Sequence, residues 1–99
     1  MILYNVTVNI DDSVHDDWVN WMKEKHIPDV VATGCFSSGT MFRLLVNEES
    51  GTSYSIQYRA PNKNSVDRYL NQFAPALRKE HNDRYDGKFV AFRTLLEEV

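Results

Sequence analysis

Polar and apolar positions along this chain follow two different rhythms. Residues 2–10 alternate, with Ile2, Tyr4, Val6, Val8 and Ile10 on one side and Asn5, Thr7 and Asn9 on the other. Residues 53–59 do the same, setting Tyr54, Ile56 and Tyr58 against Ser53, Ser55, Gln57 and Arg59. A period of two marks a strand with one buried face. Residues 41–46 and 89–96 break the rhythm. Met41, Phe42, Leu44, Leu45 and Val46, then Phe89, Val90, Phe92, Leu95 and Leu96, are apolar on both faces. A sheet packed on one side only should alternate throughout. These two strands therefore call for cover on the second face as well.

Helical spacing fills the intervals. Val14, Trp18, Trp21 and Met22 form one apolar stripe. Ser13 is the expected N-cap, with Asp16 in the first turn, where the helix dipole favours an acid. Pro28 is expected to push Ile27 out of the helical region and to begin a short helix over 29–33, stopped by Gly34. A strand over 35–46 and the polar loop Asn47-Glu48-Glu49-Ser50-Gly51 lead into the third strand, which ends near Ala60-Pro61. Caps between Asn62 and Ser65 open a second long helix, whose stripe is Val66, Tyr69, Leu70 and Phe73, extended by Leu77 and Tyr85. Pro75 inside that stripe predicts a kink or restart. Asp86-Gly87 is a turn before the fourth strand, Phe89 to Leu96.

The order β-α-β-β-α-β is the ferredoxin-like split pattern. It predicts one α+β domain over residues 1–99: a four-stranded antiparallel sheet with helices on one face, the first and third strands central and the second and fourth at the edges. Doubly apolar edges beside polar-backed central strands predict a homodimer through the sheet faces, sealed at the flanks with a polar strip between.

Bulk properties narrow the picture. Ninety-nine residues support one domain with a modest core. A net charge of −3, with both signs interspersed, excludes the basic patch of a nucleic-acid surface. Cys35, the single cysteine, permits no intrachain disulfide and reads as an inert small core residue with no basic neighbour. The N-terminus has neither the basic start nor the apolar run of a signal peptide. No segment approaches the roughly 20 apolar residues that span a bilayer. The expected location is the cytoplasm, with no membrane partner.

The segments Tyr4-Asn-Val-Thr-Val-Asn9, Trp18-Val-Asn-Trp21, His26-Ile-Pro28-Asp29, Ala32-Thr-Gly34, Phe73-Ala-Pro75-Ala-Leu77, Glu80-His81 and Gly87-Lys-Phe-Val-Ala-Phe-Arg-Thr-Leu95 carry a resemblance. The helix and its His-x-Pro turn resemble the dimeric α+β barrel superfamily, which includes EthD-like and antibiotic-biosynthesis monooxygenase-like proteins. Nearly end to end, the chain resembles a family of short bacterial proteins known as a domain of unknown function. The resemblance implies a homodimer of facing sheets and transfers no reaction.

Candidate chemistry centres on two histidines. His26 lies four residues after Met22, and His81 four after Leu77 and four before Tyr85, so each continues an apolar stripe. Both are expected to face one helix–sheet cleft near Tyr4, with Trp21 and Tyr69 as further candidate ligand contacts. Imidazole suits acid–base work near neutral pH or the anchoring of a ligand. His26, His81 and Glu80 form no recognisable metal motif, and no metal or cofactor is expected. Haem-degrading members of the superfamily carry an asparagine on the first strand and a tryptophan and a histidine on the second helix. Asn5 and His81 match two of these places, and Tyr69 departs from the third. His15 reads as a surface residue. Arg43, Arg59 and Arg93 fall within strands and read as salt-bridge partners across the dimer, ahead of an anion site.

Three functions are compatible with this pattern. The leading one is a dimeric module that binds a small apolar or amphipathic ligand in each cleft. The alternative is a cofactor-free oxygenase- or isomerase-type enzyme with His26 or His81 as acid or base. The third is a purely structural dimer whose clefts are filled by side chains.

Overall fold

The computed structural model describes all residues, 1–99. Four strands, β1 (Ile2–Ile10), β2 (Ser38–Arg43), β3 (Thr52–Ala60) and β4 (Phe89–Glu97), form one sheet in the order β2-β3-β1-β4. Every neighbouring pair is antiparallel. The alternating strands are therefore central and the doubly apolar ones are the edges.

Register explains the pattern of the two edges. On one face Phe42, Ser55, Thr7 and Phe92 stand in one row across the four strands. Its ends are apolar and its middle polar. There Ser55 Oγ donates to Asn5 Oδ1 at 2.5 Å, Asn5 Nδ2 donates to Thr7 Oγ1 at 3.1 Å, and Gln57 Nε2 donates to Ser55 Oγ at 3.2 Å. No helix covers this face: Val90, Phe92, Phe42 and Leu96 are 69%, 63%, 49% and 48% exposed. On the other face Met41, Ile56, Val6 and Arg93 form a row under the helices. Arg43 and Arg93 thus lie on the helix side, and only Arg59 of the three strand arginines belongs to the open face. The expected bridges across facing sheets do not suit the first two.

The helical layer differs locally from expectation. Asp11, not Ser13, caps the first turn: its carboxylate accepts from the Ser13 N–H at 2.9 Å and closes a short 3₁₀ turn, Asp12–Val14. Helix α1 (His15–Trp21) then runs through a widened π turn, Met22–His26, into α2 (Ile27–Ala32). Pro28 does not expel Ile27, which stays helical at φ −61°, ψ −46° and donates its N–H to the Met22 carbonyl five residues back. Proline has no N–H to give and its ring crowds the carbonyl four residues earlier. Widening the preceding turn lets the helix continue past it. Gly34 ends this segment at φ +80°, a conformation in which a side chain is strained.

Strand β2 is shorter than the apolar run. Cys35 and Phe36 enter the core ahead of it, and Leu45 and Val46 lie exposed in the loop after it. At Gly39 a Cβ would stand 2.8 Å from Ile27 Cγ2 and from Tyr58 Cε1, so only glycine lets α2 close onto the sheet. The second helical segment breaks at Phe73, between α3 (Lys63–Gln72) and α4 (Ala74–Arg84), with Pro75 in the first turn of the restart. Trp18, Ile10, Ile56, Val30, Val66 and Tyr85 are the largest fully buried apolar groups and fill the space between sheet and helices.

Candidate functional site

A cleft opens between the helices and the β1–β4 side of the sheet. Strand alternation brings Tyr4, Val6 and Val8 to it from β1, Ile56 and Tyr58 from β3, and Phe89, Ala91 and Arg93 from β4. The helical layer adds Met22 and His26 from the π turn, Tyr69 from α3, and Arg78, His81 and Asn82 from α4. The free volume is about 40 Å³.

The two histidines meet here, with ring centres 5.7 Å apart. Their environments differ. The indole N–H of Trp18 donates to His81 Nε2 at 2.9 Å. Indole is a donor only, so Nε2 must be the unprotonated nitrogen and His81 is neutral, with its proton on Nδ1. Burial pushes the His81 pKa down, the Asn82 side chain partly opposes this, and the Arg93 charge adds to it. His26 has no such lock. Its ring stacks on Trp21 with centroids 5.1 Å apart, and its Nδ1 is buried without a hydrogen-bond partner in the chain. Burial first, and then the neighbouring His81, push its pKa down to about 4.

Arg78 is the second group with an unmet bond. Its Nη2 donates to the Tyr4 hydroxyl at 3.0 Å, while its Nε is buried and unpartnered. Tyr4 stacks on Phe36 and Tyr58 and tilts against Tyr69. Burial holds the Tyr69 phenol up at about 12 and the Tyr58 phenol well above its ordinary value. Both are neutral donors at any physiological pH.

Of the five candidate residues, Tyr4, His26, His81 and Tyr69 line the cleft. Trp21 does not: it is buried behind His26, beside Tyr85 and under the Arg84 guanidinium. Arg78 and Arg93 were not among the expected site residues. Arg93 lies in phase with Phe89 and Ala91 along β4, at a position whose sequence reading put a salt bridge across the dimer ahead of an anion site.

Other expectations need correction. Asn5 sits on the open sheet face, across the sheet from His81, and the His81 Nε2 is occupied by Trp18, so the match to the haem-degrading pattern fails in space. Glu80 pairs with Lys25 at 3.5 Å. His15 is half-buried rather than free at the surface, bridging Asp16 at 2.8 Å and the Tyr54 hydroxyl at 2.6 Å. Cys35 is buried as expected, yet it has a basic neighbour: Arg68 Nε donates to its sulfur at 3.3 Å.

The chain matches, over residues 1–99, the family described as "Domain of unknown function (DUF4286)", and it belongs to that family. No curated protein matches it in sequence. Its fold is similar to that of an EthD family protein from Bacillus halodurans C-125, at TM-score 0.74 and 11% identity, covering 100% of both chains. It is also similar to an antibiotic biosynthesis monooxygenase, at TM-score 0.66 and 12% identity, covering 100% of this chain and 99% of the other. A third likeness is to a dimeric ferredoxin-like protein from an uncultured marine organism, at TM-score 0.69 and 14% identity, covering 99% and 97%. At these identities the likenesses speak for the fold alone.

Proposed function

We propose that this DUF4286 protein binds a small apolar or amphipathic organic molecule in the helix–sheet cleft of each subunit of a homodimer. One observation carries the binding reading. The buried polar side-chain atoms left without a partner, His26 Nδ1 and Arg78 Nε, belong to residues that line the same cleft. Folded proteins pair at least about 90% of such atoms, and each exception costs roughly 1–3 kcal/mol. Two in one place are a standing demand for a ligand with polar atoms. Val6, Val8, Met22, Ile56, Phe89 and Ala91 supply an apolar bed for the rest of it.

The enzymatic alternative is weaker on chemical grounds. His81 has its basic nitrogen engaged by Trp18. His26 is free, but a pKa of about 4 makes it a poor base at pH 7, where general catalysis favours a pKa near the working pH. The structural reading has one observation in its favour: about 40 Å³ holds a few waters or a small fragment, well below the several hundred Å³ of a drug-sized site. A larger ligand must therefore displace side chains at the mouth.

Titration with indole and with phenol, followed by ¹H–¹³C methyl spectra, separates these readings. Saturable shifts at the Val6, Val8 and Ile56 methyls, without shifts on the open sheet face, are the expected result. No shift at several millimolar of either probe would sink the binding reading and leave the structural one.

The dimer rests on the open face of the sheet. Its exposed flanks, Phe42 on one edge and Val90, Phe92 and Leu96 on the other, border a polar strip that is already hydrogen-bonded within itself. Two such faces are self-complementary about a twofold axis.

A further inference from the structure

Resting on the reading of the cleft as a binding site, the charge pattern narrows the ligand. Two arginines line the cleft, Arg78 from α4 and Arg93 from β4, and no carboxylate does. Most cations elsewhere on the helices have acidic partners: Lys25 with Asp29 and Glu80, Lys63 with Asp67, Lys79 with Asp83, Arg84 with Asp17. Arg78 and Arg93 have none. A guanidinium is always charged and carries five N–H donors, so leaving the half-buried Arg78 unpaired is costly, while Arg93 is exposed and keeps its charge in contact with solvent. Burial is the main cause of the shifts at both imidazoles and at Tyr69, and the Arg93 charge adds to it at the imidazoles while Arg78 and Arg93 partly oppose it at Tyr69. This cationic pocket lies in a chain of net charge −3.

Several other polar groups of the cleft fit the same occupant. The Tyr4 hydroxyl accepts from Arg78, which leaves its own proton free to donate. Tyr58 and Tyr69 stay protonated and can donate as well. Arg78 still has its Nε–H unbound. Every one of these groups offers hydrogen to an anion.

We propose that the cleft selects a small aromatic or aliphatic carboxylate, its carboxylate between Arg78 and Arg93 and its apolar body against Val6, Ile56 and Ala91. Arginine favours this partner because its planar fork matches a carboxylate in two parallel bonds.

Titration of the full chain with benzoate, benzamide and benzylammonium tests this by ¹H–¹⁵N and methyl spectra. Benzoate should bind in the cleft at least about tenfold more tightly than benzamide, its neutral isostere, and benzylammonium should not bind. Arg93→Gln, at an exposed edge-strand position, should weaken benzoate about tenfold and leave benzamide unchanged. Arg78→Gln should act the same way, and Arg78→Lys should restore part of the affinity. Equal binding of benzoate and benzamide, or benzoate binding indifferent to both arginines, overturns the anion inference while the cleft remains a site. Binding by none of the three probes overturns the anion inference, and the cleft reading falls with it when indole and phenol also fail to bind.

Discussion

Trp18 and His81, sixty-three residues apart, share a buried hydrogen bond of 2.9 Å from the indole nitrogen to Nε2. The bond settles the division of labour between the two histidines. His81 becomes a neutral structural acceptor with a fixed tautomer, and His26 is left as the imidazole with an unmet bond.

Removing the donor tests that division. In Trp18→Phe the His81 tautomer should no longer be held, and imidazole ¹⁵N shifts should move from a pure Nδ1–H form to a mixture. The protein should also lose about 1–3 kcal/mol, since a buried acceptor is left unpaired. An unchanged His81 nitrogen spectrum would show that the indole does not set the tautomer.

Acid should destabilise the fold through His26. Its pKa is about 4 when folded against an ordinary 6.5, so the unfolded chain binds the proton more tightly. Its contribution is complete above pH 6.5 and is lost as pH falls toward 4, at up to about 1.4 kcal/mol per unit. His81 acts in the same direction. The groups around His26 are His81 from α4, Arg93 from β4, and Lys25 and Asp29 on its own helical run; only Asp29 opposes the shift. Urea denaturation at pH 7.5, 6 and 5 should show a steady decline, flattened in His26→Gln. Equal slopes in the two proteins would place the proton elsewhere.

Gly34→Ala should cost about 1 kcal/mol or more. At φ +80° a Cβ is disfavoured, although the nearest non-neighbouring atom, Arg68 Nη2, is 3.6 Å away and does not clash. The penalty is thus backbone strain alone, and Gly34→Asn should recover part of it, because asparagine tolerates this region. A shift in denaturation midpoint indistinguishable from zero for Gly34→Ala would contradict the turn.

Assembly is tested at the open face. Light scattering at micromolar concentration should give twice the monomer mass, and Phe92→Asp should give a monomer, since it places a charge among the flanking apolar groups. Obligate interfaces bury about 2,000 Å² or more in total, which a sheet face of this kind can supply. A folded, monodisperse monomer in the unmodified protein would rule out the facing-sheet dimer.

Much of the architecture is a property of the chain alone. Side-chain direction in a strand has a period of two, so the alternation at 2–10 and 53–59 named the central strands, and its failure at 41–46 and 89–96 named the edges. Helical spacing likewise turned His26 and His81 toward the sheet. These are local relations, carried by neighbours in sequence. Tertiary structure decided everything that depends on distance between elements. It gave His81 its partner in Trp18, joined Arg78 to Tyr4 across seventy-four residues, and left Arg93 facing the cleft without a carboxylate. It also carried the helix through Pro28 by widening one turn, where the rule for proline alone predicts a break. Periodicity tells which face a side chain takes. Which hydrogen bonds and charges remain unmet there is set by what the other elements bring, and that depends on packing between them.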